Sequence, residues 1–206
     1  MKMTLFYQAF GPSLGVTHRQ AYALQEALQG LEGFGVGRPG PGGGVPATPA
    51  ALSYFLIAAM VGGPMREAKI RMYRWSAAVT EGRKAAFLKS EESDDRRTLP
   101  KCPLTGEHQF GSAMKVILAN PEFASMVEQI SVIEEWPEAA ITFRCGDDFM
   151  VSRFIDEGGK QHATRATMTG AIHTLRSVGG WLINQIAMDV ANDSSEPSPV
   201  EQEINK

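Results

Sequence analysis

Six polar side chains early in the chain have the chemistry to read a nucleic-acid surface: Thr17, His18, Arg19, Tyr22 and Gln25, close together, and Arg38 further on. An arginine pairs two hydrogen bonds with guanine or holds a phosphate, and a glutamine reads an adenine edge. A tyrosine offers its hydroxyl to phosphate or its ring to a thymine methyl. A threonine at a helix start either caps the helix or donates to a ligand, where free amides and the positive end of the helix dipole favour a phosphate. Arg38 stands in a glycine-rich stretch, and missing side chains there would let main chain and guanidinium come close to a duplex.

The elements that must position these residues are legible locally. Thr17 caps a helix predicted from His18 to about Gly30, with Leu24, Leu28 and Leu31 at i, i+4 and i+7 on one apolar stripe. His18, Arg19, Tyr22, Glu26 and Gln29 fall away from that stripe, with Gln25 at its edge. The following FGVGRPGPGGGVPAT, Phe34 to Thr48, is too rich in glycine and proline for a helix. Short strands around Phe34 to Val36 and at Val45, joined by the turn bearing Arg38, predict a small hairpin. The plainer alternative is a flexible surface loop beside a core helix. Next, Thr48 as cap, Pro49 at the first helical position and Leu52, Phe55, Leu56, Ala59 and Met60 at helical spacing predict a helix stopped by Gly62, Gly63 and Pro64. A basic amphipathic helix is expected from Met65 to Val79, with Met65, Ala68, Met72, Trp75 and Val79 on one side and Arg66, Lys69 and Arg74 elsewhere.

The order Leu14-Gly15-Val16-Thr17-His18-Arg19-Gln20, amphipathic helix, glycine-rich hairpin and further helix resembles the winged helix-turn-helix family over about residues 3 to 62. The resemblance implies that Thr17, His18, Arg19 and Tyr22 begin a recognition helix and that Arg38 is a wing residue against the DNA backbone or minor groove.

Beyond residue 90 the pattern changes. Ser90 to Thr105, SEESDDRRTLPKCPLT, is charged, carries prolines and lacks apolar periodicity, so residues 91–104 read as a linker between a 1–90 DNA-binding domain and a 105–191 domain. In the second domain a helix is expected from Thr105 to about Asn120 and a short one from Pro121 to near Met126. Val127 to Glu134, Ala139 to Cys145 and Phe149 to Ile155 predict a three-stranded antiparallel meander. His162 to Asn192 reads as a long helix with Met168, Ile172, Leu175, Gly179, Leu182 and Ile186 on its stripe, and 192–206 as a disordered tail. The predicted class is α+β: a winged helix-turn-helix, a helical segment, then the three-stranded sheet and long terminal helix.

Charge divides along the same boundary. Residues 1–90 hold ten Lys and Arg against four Asp and Glu, +6, leaving ten against nineteen, −9, within a total of −3. A basic half joined to an acidic half suggests a polyanion-binding module attached to something else. Catalysis finds no support: PGPGGG lacks the Gly-Lys-Ser/Thr of a phosphate loop, and no dinucleotide fingerprint or nucleophile elbow occurs. Asp147-Asp148 follow Gly146 between two strands and read as a turn. The four histidines (His18, His108, His162, His173) are scattered and Cys102 and Cys145 lie far apart, so neither metal, cofactor nor disulfide framework is expected. With no membrane-length apolar run and no secretory layout at the N-terminus, the expected location is the cytoplasm. The expected function is a transcriptional regulator binding double-stranded DNA as a homodimer. The alternative is a phage or mobile-element inhibitor or adaptor that binds a protein partner through its acidic half.

Overall fold

A computed structural model describes residues 1–37, 44–81, 100–134, 138–155 and 175–195. The fold is α+β. Helices α1 (Met3–Phe10), α2 (His18–Leu28), α3 (Pro49–Val61) and α4 (Ala68–Ser76) precede strand β1 (Val79–Thr80). Helices α5 (Phe110–Ala119) and α6 (Pro121–Met126) follow, then β2 (Val127–Ile133), β3 (Glu138–Cys145), β4 (Asp148–Ile155), β5 (Leu175–Gly179) and α7 (Gly180–Ser195). The strands form one antiparallel sheet in the order β1-β4-β3-β2-β5.

Helix α3 is the hub. Its cap is the expected one: Thr48 Oγ1 accepts from Ala51 N at 3.1 Å, Pro49 supplies a first-turn residue needing no donor, and Gly62 ends the helix. Its apolar residues surround the axis rather than occupying one stripe, and Leu52, Phe55, Leu56, Ile57 and Val61 are all buried. A helix apolar on every side must be enclosed; α1, α2, α4 and α5 enclose it, together with the inner face of the sheet. That inner face alternates along the strands as Ile130 and Val132, Ala139, Ile141 and Phe143, and Phe154.

The two halves of the chain share this core. Phe110 packs on Phe154 with ring centroids 5.4 Å apart, and Trp75 Nε1 donates to Ile133 O at 3.1 Å. Of the expected linker, residues 91–99 lie outside the described residues. Cys102 is wholly buried, donating from its N–H to Glu107 O and accepting from Gly106 N, each at 2.8 Å.

Several local expectations are corrected. Among the described residues the sheet has five strands rather than three, because both ends of the β2-β3-β4 meander gain a partner. Val79, expected to close the helix from Met65, lies in β1 and pairs with Ile155. That helix is a 3-10 turn (Met65–Glu67) followed by α4, which stops at Ser76. Leu175–Gly179, expected as helix, is β5 along the open edge of β2, with Val178 opposite Ile130. Unpaired edge groups of a half-buried strand are satisfied by an added strand, and five residues with Val178 turned inward suit either period. Helix α7 begins at Gly180, packed so tightly that an added Cβ would stand 1.7 Å from Val127 O. The rest of the expected long helix, with Met168, Ile172 and His173, is outside the described residues, as is His162.

Thr105 does not open α5, which starts at Phe110; its hydroxyl accepts from Glu107 N at 3.3 Å in the preceding loop. Asn192–Ser195, expected in the tail, continue α7, and residues 196–206 are outside the described residues. Among the described residues, no helix is long and apolar enough to cross a membrane.

Candidate nucleic-acid interface

Helix α1 carries Met3, Phe6, Tyr7 and Phe10 on its buried side, the i, i+3, i+4, i+7 stripe of a core-facing helix. At its end the chain turns within a few residues. Gly11 N donates to Tyr7 O and Val16 N to Gly11 O, both at 3.0 Å, and Gly15 N donates to Pro12 O at 3.1 Å. Two glycines make this possible for different reasons. A Cβ on Gly11 would lie 2.5 Å from Tyr7 O, whereas Gly15 needs the left-handed region, at φ +66°.

Thr17 then sets the start of α2 through a complete capping box. Its Oγ1 accepts from Gln20 N at 3.3 Å and donates to Gln20 Oε1 at 2.8 Å, and its own N–H donates to Gln20 Oε1 at 2.9 Å. Of the two roles expected for Thr17, the hydroxyl is engaged as a cap. Leu24, Leu28 and Leu31 are buried, as their spacing predicts. His18, Arg19, Glu26 and Gln29 are exposed, and Tyr22 is 49% exposed. The structure therefore brings Thr17, His18, Arg19 and Tyr22 together on the first two turns of one helix.

Gln25 does not join them. Its side chain turns inward, where Oε1 accepts a short hydrogen bond from the Tyr7 hydroxyl, so it is a buried partner within the bundle and not a reader of bases. Gln25 lies on the boundary of the apolar stripe, and a residue there turns toward whichever side offers a partner. Tyr7, eighteen positions earlier, supplies that partner. Burial, and secondarily the neighbouring Tyr22, pushes the Tyr7 hydroxyl well above the ordinary tyrosine range. It is held as a donor, its ring stacked on Phe55 at 5.2 Å and edge-on to His18 at 6.2 Å.

Arg38, the expected wing residue, lies outside the described residues, which include neither its position nor the rest of 38–43. The flanks of that segment do not form the expected hairpin ladder. Val45 O accepts from Met3 N and Ala47 N donates to Met1 O, each at 2.9 Å, with Lys2 bridged to Pro46. Among the described residues no bridge joins 34–36 to Val45, although Gly37 lies against the Gly44–Val45 backbone. Pro46 has no N–H to give such a ladder.

The sequence did not link α2 to the Met65–Glu67 turn and α4, on which it packs. This turn carries Arg66, whose side chain is 85% exposed and lies 3.5 Å from Glu67. Only tertiary packing brings it beside α2; its charge and helical spacing were the available signals.

Two clefts flank this architecture. One, of about 500 Å³, opens between α1 and the start of α2 and is bordered by Gln8, Pro12, Val16 and His18. The other, of about 560 Å³, lies at the β3-β4 turn against α6 and is mainly apolar, bordered by Phe123, Met126, Phe143 and Met150. The larger cleft contains none of the sequence-predicted residues, and cleft size is a weaker guide here than the convergence of polar groups on α2. Among the described residues no cluster of three His, Cys, Asp or Glu side chains is arranged to hold a metal. Neither protein-family models, curated proteins nor solved structures yield a match to this chain.

Proposed function

We propose that this protein regulates transcription by binding double-stranded DNA, with α2 as the helix that enters the major groove and α1 with its glycine turn as the support. The observation carrying the reading is the exposed group His18, Arg19 and Tyr22 at the start of a helix whose entry is set by its cap and whose other side is buried. Side chains on the first turns of a recognition helix reach base edges, while the helix in front of it crosses the phosphate backbone. Arg19 is the base or phosphate fork, Tyr22 the phosphate or thymine contact, and His18 a donor at the groove wall. The helix-turn-helix arrangement and a wing around Arg38 belong to the same proposal. A homodimer would present two such helices to half-sites about 34–36 Å apart.

Selection of bound duplexes from a random pool, followed by anisotropy titration at two salt concentrations, tests the reading. The expected result is a recovered motif, binding that weakens with salt, and a loss of about 1–3 kcal/mol with relaxed selectivity at one base pair for Arg19→Ala. A pool that shows no enrichment, with no salt-dependent binding at low ionic strength, overturns it.

A further inference from the structure

Beside α2, the solvent face of Met65–Ser76 is cationic in a way the core does not require. Ala68, Met72 and Trp75 are buried, and Arg71 turns toward the core, donating from Nη2 to Val61 O at 3.0 Å and to Glu134 O at 3.1 Å. The other side presents Arg66, Lys69, Ile70, Tyr73 and Arg74, all exposed, with Glu67 the acidic neighbour. At 100° per residue Lys69, Ile70, Tyr73 and Arg74 fall within one face of α4, and Arg66 stands in the 3-10 turn that leads into it. The face thus combines cations and a tyrosine hydroxyl, the side chains that contact a phosphate backbone without reading sequence.

We infer that this face is the phosphate-gripping flank of the DNA surface, with Arg66 and Lys69 neutralising backbone phosphates beside the groove that α2 enters. The inference rests on the DNA-binding reading, and assigns to α4 and its preceding turn the sequence-independent part of binding. Charge complementarity selects the occupant. A second copy of the chain docked symmetrically here would bring two copies of the same cationic face together, a like-charge arrangement that opposes association. A polyphosphate backbone meets Arg66 and Lys69 with the opposite sign, and each neutralised phosphate releases condensed counterions.

The test is the salt dependence of affinity for two duplexes, the selected motif and a scrambled one, measured with the full chain and with Arg66→Gln, Lys69→Gln and the double variant. Both positions are exposed, and glutamine keeps helix propensity close to that of the replaced residues. Unchanged thermal unfolding verifies that the variants are folded. Each single variant should weaken binding to both duplexes by the same factor and lower the slope of log affinity against log salt by about one unit, the double variant by about two. Arg19→Ala should instead alter the ratio between the duplexes. If the wild-type chain binds neither duplex, the DNA-binding reading fails and this inference with it. If it binds but the double variant keeps the wild-type slope, this inference alone fails.

Discussion

Helices α2 and α3 begin alike and end in opposite environments. Each opens on a threonine whose hydroxyl accepts from the third helical amide, Gln20 N at 3.3 Å and Ala51 N at 3.1 Å. Each also follows a stretch punctuated by glycine and proline. Yet α3 is enclosed on nearly every side, whereas α2 buries Ala21, Leu24, Gln25 and Leu28, half-buries Ala23 and Ala27, and leaves His18, Arg19, Tyr22, Glu26 and Gln29 exposed. The difference teaches that a cap locates where a helix starts and says nothing about what it faces. Composition around the wheel decides that, and it separates a helix on which stability depends from one whose outer face is available for binding.

The sharpest way to break the comparison is to open the hub. Phe55 is 1% exposed, stacks on Tyr7 at 5.2 Å and meets Phe6 edge-on at 5.6 Å. Phe55→Ala should destabilise the protein by about 3–5 kcal/mol, because the enclosing elements can only partly collapse onto the void. Urea unfolding reads this directly. A loss below about 1 kcal/mol would mean that α3 is not the centre of the core.

A smaller effect is expected where the two helices communicate through α1. Tyr7→Phe keeps the ring against Phe55 but leaves the buried Gln25 Oε1 without its donor, at a cost of about 1–3 kcal/mol. Tyr7 also gives this contact a pH signature. Since its folded pKa is raised, the contribution to stability is fully present below the unfolded value of about 10 and is lost as pH rises above it through the folded pKa. Wild-type unfolding free energy should therefore fall more steeply than that of Tyr7→Phe above that pH. Parallel curves would place the Tyr7 hydroxyl in contact with solvent.

What the sequence made legible follows from the range of the interactions involved. Capped helices α2, α3 and α6 and strands β2 to β4 are set by neighbours a few positions away, and their predicted bounds lie close to those observed. Strands β1 and β5 are not local objects. Val79–Thr80 and Leu175–Gly179 become strands because β4 and β2 have open edges to fill, information carried by residues more than forty positions distant. The candidate site divides in the same way. Exposure of His18, Arg19 and Tyr22 follows from the wheel of one helix, while the burial of Gln25 depends on Tyr7 and the position of Arg66 on the packing of α2 against the turn before α4.

The smallest expected difference is also the finest comparison of α2 with α3. Thr17→Ala and Thr48→Ala each remove a side-chain cap, a change typically costing about 0.5–2 kcal/mol. The Thr48 bond is part-buried, so the Ala51 amide loses its acceptor with little water to replace it. The Thr17 bond is exposed, and water can take over the Gln20 amide. Thr48→Ala should therefore be the costlier, with Thr17→Ala toward the lower end of the range even though it also dissolves the capping box with Gln20. Paired urea titrations resolve the difference. An equal or larger loss for Thr17→Ala would mean that the start of α2 is covered, and a covered helix start cannot offer His18, Arg19 and Tyr22 to a groove.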